Sequence, residues 1–188
     1  MSSYKLIVVK DGFPVEVVQN PTDYPLIGRG GNGAVFKLSD EHCVKIYPNK
    51  AFARAESAAL RVGQDSPAFP RLVKSGRKYV VMELINGTLL DEYLRDKGVL
   101  DEQITEQILF VLKELKRLRF SRRDARLRHL VLTEEGSLKV IDHVNSQTKH
   151  YKYPEKLLKG LDELGMKPAF LKQVKQRDPE LYRKWKSK

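Results

Sequence analysis

Four groups of residues have the types and spacing to do chemistry on a phosphate ester. The stretch Ile27-Gly28-Arg29-Gly30-Gly31-Asn32-Gly33-Ala34-Val35 offers backbone N–H groups that phosphate oxygens can approach with no Cβ in the way. A dinucleotide fingerprint with glycines at 28, 30 and 33 would need a helix directly after the third glycine. Residues 34–38 read as a strand instead. The expectation is therefore a hairpin closing over an anion, with a plain glycine-rich turn as the alternative. Lys45, in Cys43-Val44-Lys45-Ile46, is an ammonium inside an apolar strand and needs an anionic partner if buried. Glu56 on the following helix is the acidic residue within reach, and an ordinary edge-strand lysine is the alternative. Asp124 and Asp142 flank a predicted hairpin over 130–141 that would fold its ends together, so both carboxylates would face one cleft. There one can accept a proton while the other holds a divalent cation. Either aspartate taken singly is a common turn or cap residue.

The elements that must position these groups change character along the chain. Residues 5–9, 15–18, 34–38 and 43–47 are short runs bounded by Gly, Pro, Asn or Asp, as hairpin strands are. Residues 71–75 and 79–84 form another hairpin around Gly76-Arg77-Lys78, and a helix over 50–62, closed by Gly63, interrupts the strands. After Asn86-Gly87, read as a hinge, helices dominate. Thr88 and Asp91 form a capping-box pattern for a helix over 89–96. Asp101 opens a long amphipathic helix to about 118. Strands at 130–133 and 138–141 follow, then helices opening at Pro154, Pro168 and Asp178-Pro179, the first closed by Gly165. The expected fold class is α+β, with a strand-rich lobe over 1–86 and a helical lobe over 87–188.

The chain has 188 residues, 41% of them hydrophobic, enough for a core without cross-links. Its lone Cys43 excludes a disulfide scaffold and agrees with a reducing, cytoplasmic compartment. No apolar run reaches membrane-spanning length, so no membrane partner is expected. The net charge of +11 is concentrated in the second half: residues 1–111 are neutral, 112–129 carry +6 and 149–188 carry +7. Solvated helix faces and a polyanion-binding surface both fit that distribution. The tail residues Tyr182 and Trp185 are read as packing on the helical lobe rather than docking a partner.

Glycine loop, strand lysine, helix glutamate, hinge and two aspartates occur in the order of the protein-kinase signature set. The sequence resembles a eukaryotic-type protein kinase over about residues 24–155. Its brief helical half is similar to the minimal atypical kinases of the RIO type and to the small kinase of the tRNA-modifying KEOPS complex. The resemblance implies a bilobal kinase fold with a truncated helical C-lobe, ATP and Mg²⁺ as cofactors, and a protein Ser/Thr hydroxyl as acceptor.

It also implies residue roles. Gly28, Gly30 and Gly33 would cover the phosphates, and Lys45 would contact them while paired with Glu56. Val35, Cys43 and Val131 would sandwich the adenine, with Met82 as gatekeeper and the backbone at Glu83 and Ile85 on the adenine edge. Asp124 would be the base and Asp142 the metal ligand, and Arg126 would steady the transferring phosphate. Another helix start would pair Lys45 with Asp142 instead.

Three motifs depart from the family. The catalytic loop begins Arg122-Arg123-Asp124, His129 replaces a metal-binding Asn, and the metal motif reads Asp142-His143-Val144. Imidazole is a poor ligand for Mg²⁺, so Mn²⁺ is a candidate where His129 ligates. The alternative expectation is a nucleotide-binding pseudokinase module. The basic half adds an acidic protein substrate or RNA as expected partners.

Overall fold

Alternation along residues 43–47 decides which side of a sheet each side chain serves. Val44 and Ile46 join one apolar cluster with Ala34, Phe36 and Val81, while Cys43 and Tyr47 join another with Ala53, Leu60, Val80 and Met82. Lys45 shares the strand parity of the second set. The computed structural model, which describes residues 3–120, 125–142 and 153–187, builds this as a five-stranded antiparallel sheet.

In chain order its strands are β3 (Leu26–Arg29), β4 (Ala34–Lys37), β5 (His42–Ile46), β6 (Leu72–Ser75) and β7 (Tyr79–Glu83), hydrogen-bonded as β3-β4-β5-β7-β6. Helix α1 (Lys50–Gly63) packs on β6 and β7. Tyr4, Ile7, Val9 and Val15 supply the N-terminal part of the first cluster. Tyr4 sits in a 3₁₀ turn (Ser3–Leu6) and Val9 in β1 (Val8–Lys10), while Ile7 lies just before β1 and Val15 just before its hairpin partner β2 (Glu16–Gln19). The continuous strand expected over 5–9 is thus a turn followed by a short strand, which lets both Tyr4 and Ile7 reach the core.

Gly63 does not close α1 through a left-handed turn; it lies in the last helical turn, and Gln64 is the cap. A Cβ at Gly63 would stand 2.5 Å from the buried Phe69 ring. Gly63→Ala is expected to destabilise the protein by about 1–3 kcal/mol through overpacking, read as a lower urea midpoint. An unchanged midpoint would remove packing as the reason for this glycine.

The chain divides into two compact units. Among the described residues, the first comprises those up to Ile85 and takes back Asp142, and the second comprises the rest. In the second, β8 (Gly87–Leu89), β9 (Leu130–Thr133) and β10 (Leu138–Val140) form an antiparallel sheet in the order β10-β9-β8. Around it lie α2 (Leu90–Lys97), α3 (Glu102–Arg117), α4 (Glu155–Glu163), α5 (Lys167–Arg177) and α6 (Pro179–Trp185).

Strand β8 corrects one expectation. Gly87 opens it, next to the start of the second unit at Asn86, and its missing Cβ would lie 2.2 Å from the Leu132 carbonyl. Thr88 pairs with Leu132 and caps nothing; Leu89 holds the N-cap position of α2 without a side-chain bond. Elsewhere the caps match the residue chemistry. The Asp101 carboxylate accepts from Ile104 N–H at 2.7 Å, and Asp178 accepts from Glu180 and Leu181 N–H at 3.1 and 2.9 Å. Trp185 is buried and stacks on Phe170 with ring centroids 6.3 Å apart, so the aromatic tail packs within this unit. Among the described residues no helix is long and apolar enough to cross a membrane.

Candidate active site

Asn49 starts α1 by accepting from Ala51 and Phe52 N–H at 3.0 and 3.2 Å. From that start, helical periodicity turns Ala53, Glu56 and Leu60 inward. Glu56 is 1% exposed, and the Lys45 ammonium donates to its Oε2 at 3.0 Å. The same ammonium donates to Asp142 Oδ1 at 3.1 Å. The two partners that the sequence leaves as alternatives are therefore engaged together. The Lys45 Nζ also sits 5.5 Å from the centre of the Tyr47 ring.

Burial alone would lower the ammonium's pKa, but Glu56 and Asp142 outweigh it and hold Lys45 above the ordinary lysine value. Burial, reinforced by Glu56 and Asp142, pushes the Tyr47 phenol up as well. Asp142 has a left-handed backbone with φ of 64°, sparsely populated for a residue with a Cβ.

The glycine segment is a hairpin of β3 and β4, with Gly28 opposite Val35. Its bend is closed by Gly30 N–H to the Gly33 carbonyl at 3.0 Å. The three glycines serve different ends. A Cβ at Gly33 would stand 2.7 Å from the Ile46 carbonyl, so only glycine lets the loop lie this close to β5. At Gly28 and Gly30 a Cβ would meet nothing within 4 Å, so packing within the chain does not call for a glycine there. The Val15 N–H donates to the Gly30 carbonyl at 2.8 Å, and the Phe13 ring, 94% exposed, lies beside Gly31. Sequence reasoning missed this brace, because nothing local in residues 13–15 signals a partner at residue 30.

Strand register sets Cys43 against Met82 and Lys45 against both Val35 and Val80. Glu83 gives its N–H to the Arg71 carbonyl at 2.8 Å, and its own carbonyl faces the Cys43 thiol at 3.7 Å. The Ile85 N–H has no acceptor among the described residues.

Burial first, then Glu56 and Glu83 against the opposing Lys45, push the Cys43 thiol up to about 12. At neutral pH its thiolate fraction is about a thousandfold below that of an exposed cysteine. Iodoacetamide should label the native chain correspondingly slowly, with the rate rising as the pH climbs toward 12 and on unfolding in urea. Fast stoichiometric labelling of the folded protein at neutral pH would contradict this environment.

Val131, Arg126 and His129 belong to the second unit. Val131 lies in β9. Arg126 precedes a 3₁₀ turn over Leu127–His129, where it accepts from His129 N–H at 2.9 Å. The His129 carbonyl accepts from Ile141 N–H at 2.8 Å. Asp124, with Arg122, Arg123, His143 and Val144, lies outside the described residues. Among the described residues no three His, Cys, Asp or Glu side chains gather as a metal cluster.

These units define an α+β protein with a buried lysine held between two carboxylates beside a glycine hairpin. No known family profile matches the chain. A protein of Bacillus subtilis (strain 168) named "Putative serine/threonine-protein kinase YrzF" is 26% identical over 165 residues, covering 85% of this chain and 77% of that protein. An uncharacterized protein of Dictyostelium discoideum is 32% identical over 74 residues, which is 39% of this chain and 8% of that protein. Over most of its length the chain is thus similar to a protein named as a kinase.

Proposed function

We propose that this protein is an ATP-dependent kinase of minimal kinase-like fold that transfers the γ-phosphoryl group to a Ser or Thr hydroxyl of a protein. The observation that carries the reading is the Lys45 ammonium shared between Glu56 and Asp142. Phosphoryl transfer depends mainly on positioning and charge neutralisation, and this centre places a permanent cation beside a partly exposed carboxylate. The similarity to a protein named as a kinase points the same way.

The residues present suit ATP and a divalent cation. Gly28 and Gly30 leave space where side chains would stand, and Asp142 supplies a hard oxygen ligand. In this reading Gly28, Gly30 and Gly33 hold the phosphates by backbone N–H, Lys45 contacts them, and Glu56 fixes Lys45. Val35, Cys43 and Val131 flank the adenine next to Met82, and the Glu83 carbonyl and Ile85 N–H meet its edge. Asp124 takes the acceptor hydroxyl's proton, and Arg126 steadies the group in transit. Mg²⁺, or Mn²⁺ where His129 participates, supplies charge neutralisation at the phosphate oxygens when bound.

The direct Lys45–Asp142 bond also suits a second reading, a nucleotide-binding module without turnover, because it engages the carboxylate assigned to the metal. Calorimetric titration with ATP, in Mg²⁺ and then Mn²⁺, tests both readings. Metal-dependent binding is expected, and turnover of the bound nucleotide separates the kinase from the module. No nucleotide binding in either metal would contradict both.

A further inference from the structure

We infer that the second unit carries a binding site for an acidic or phosphorylated side chain of a protein substrate, a refinement that rests on the kinase reading above. The site is a half-open cavity of about 620 Å³ lined by α2, the 3₁₀ turn over 127–129 and α4. That volume falls within the ordinary span of ligand pockets, roughly 300–1,000 Å³.

Its construction follows from one close contact. Leu127 is buried against Gly160 of α4, where a Cβ would stand 3.0 Å from the Leu127 Cδ1. This packing seats the 3₁₀ turn on α4, and the residues on either side of Leu127, Arg126 and Arg128, line the cavity. Arg95 of α2 with Lys156 and Lys159 of α4 complete a wall of five cations, against the three carboxylates Asp91, Glu155 and Glu163.

Two of those carboxylates already face cations of the same wall. Asp91 meets Arg95 at 3.4 Å and Glu163 meets Lys159 at 3.9 Å. Arg126 and Arg128 form no ion pair with any described residue. With Arg126 assigned above to the group in transit, the Arg128 guanidinium is left to meet a carboxylate or phosphate with two parallel hydrogen bonds. Arg126 lies two positions after Asp124, so the cavity is lined by residues close in sequence to the assigned base.

The lining favours a single anionic side chain over a nucleic-acid backbone. Three carboxylates within the wall would repel a continuous run of phosphates, and among the described residues no aromatic one lines the cavity to stack a base.

The test is fluorescence anisotropy on the full chain with three labelled probes: a serine peptide flanked by glutamates, the same peptide flanked by lysines, and a single-stranded oligouridine RNA. Arg128 is exposed and Lys159 largely so, which makes Arg128→Glu/Lys159→Glu a variant that should fold, and Arg128→Gln/Lys159→Gln is its milder counterpart. The wild type should bind the glutamate peptide at least about tenfold more tightly than the lysine peptide, and the double charge reversal should abolish that preference. At about 150 mM salt the RNA should bind more weakly than the glutamate peptide.

Equal affinity for the two peptides would overturn the inference, as would a preference that survives both double variants. RNA that binds more tightly and loses affinity in the same variants would overturn it in favour of nucleic acid. No arm requires turnover. Acidic-peptide binding without phosphoryl transfer would overturn the kinase reading alone, and transfer with no acidic preference would overturn this inference alone.

Discussion

Replacing Lys45 with methionine is expected to cost the protein about 3–5 kcal/mol of stability together with its phosphoryl transfer. The methionine keeps the unbranched stem but removes the charge. Glu56, buried in α1, would lose its cation while still shut away from water, and a buried carboxylate without a partner is far more costly than the pair it came from. For a chain of this size the loss corresponds to a fall in Tm of about 10 °C. Lys45→Met/Glu56→Gln should recover part of that stability without recovering activity, because it removes the stranded charge but not the need for an ammonium at the phosphates. A single variant as stable as wild type would show that the Lys45–Glu56 bond does not hold α1 to β5.

The pH dependence has a definite sign. The folded-state pKa of Lys45 is raised above its ordinary 10.5, so its contribution is complete below that value and is lost only as the pH rises through the higher folded value. Titration across the neutral range should therefore leave this part of the stability unchanged.

Asp142→Asn should separate chemistry from stability. Asp142 is one-third exposed and Lys45 keeps Glu56 in its absence, so the change should move stability by less than about 1 kcal/mol. Transfer should nevertheless fall by at least a hundredfold, roughly the scale seen when a charge-stabilising group is removed from a reacting centre, and excess Mg²⁺ should not restore it. Equal rates in the variant and wild type would remove Asp142 from the metal role. A loss of stability as large as that of Lys45→Met would make its role structural.

The elements of the second unit were legible because their ends are written in local chemistry. Asp101 and Asp178 cap helices with their own carboxylates, Gly165 turns left-handed after α4, and Pro168 stands at the start of α5. Thr88 misled because a Thr with an acid three residues on also fits a strand, and its pairing partner Leu132 is 44 positions away. Gly63 misled in the same manner: its neighbours in sequence point to a cap, while the constraint comes from the Phe69 ring.

At the site, the apolar strand around Lys45 and the helix bearing Glu56 were readable from period and composition. Their joint bond with Asp142 was not, since residue 142 lies 97 positions beyond Lys45 and spacing alone offered the two carboxylates as rivals. Tyr47 under the ammonium could have been found, because it is two residues on from Lys45 and so shares its face of the strand.

The central claim is that the lysine held by Glu56 and Asp142 belongs to a phosphoryl-transfer centre whose base is Asp124. The most direct measurement is transfer of label from γ-labelled ATP to the protein itself and to a generic acceptor protein, in Mg²⁺ and in Mn²⁺, with wild type beside Asp124→Ala. Label incorporated by the wild type in at least one metal, and lost in the variant while ATP binding is retained, is the predicted result. Equal labelling by both proteins would contradict the assigned base, and no labelling in either metal despite bound ATP would contradict the kinase account.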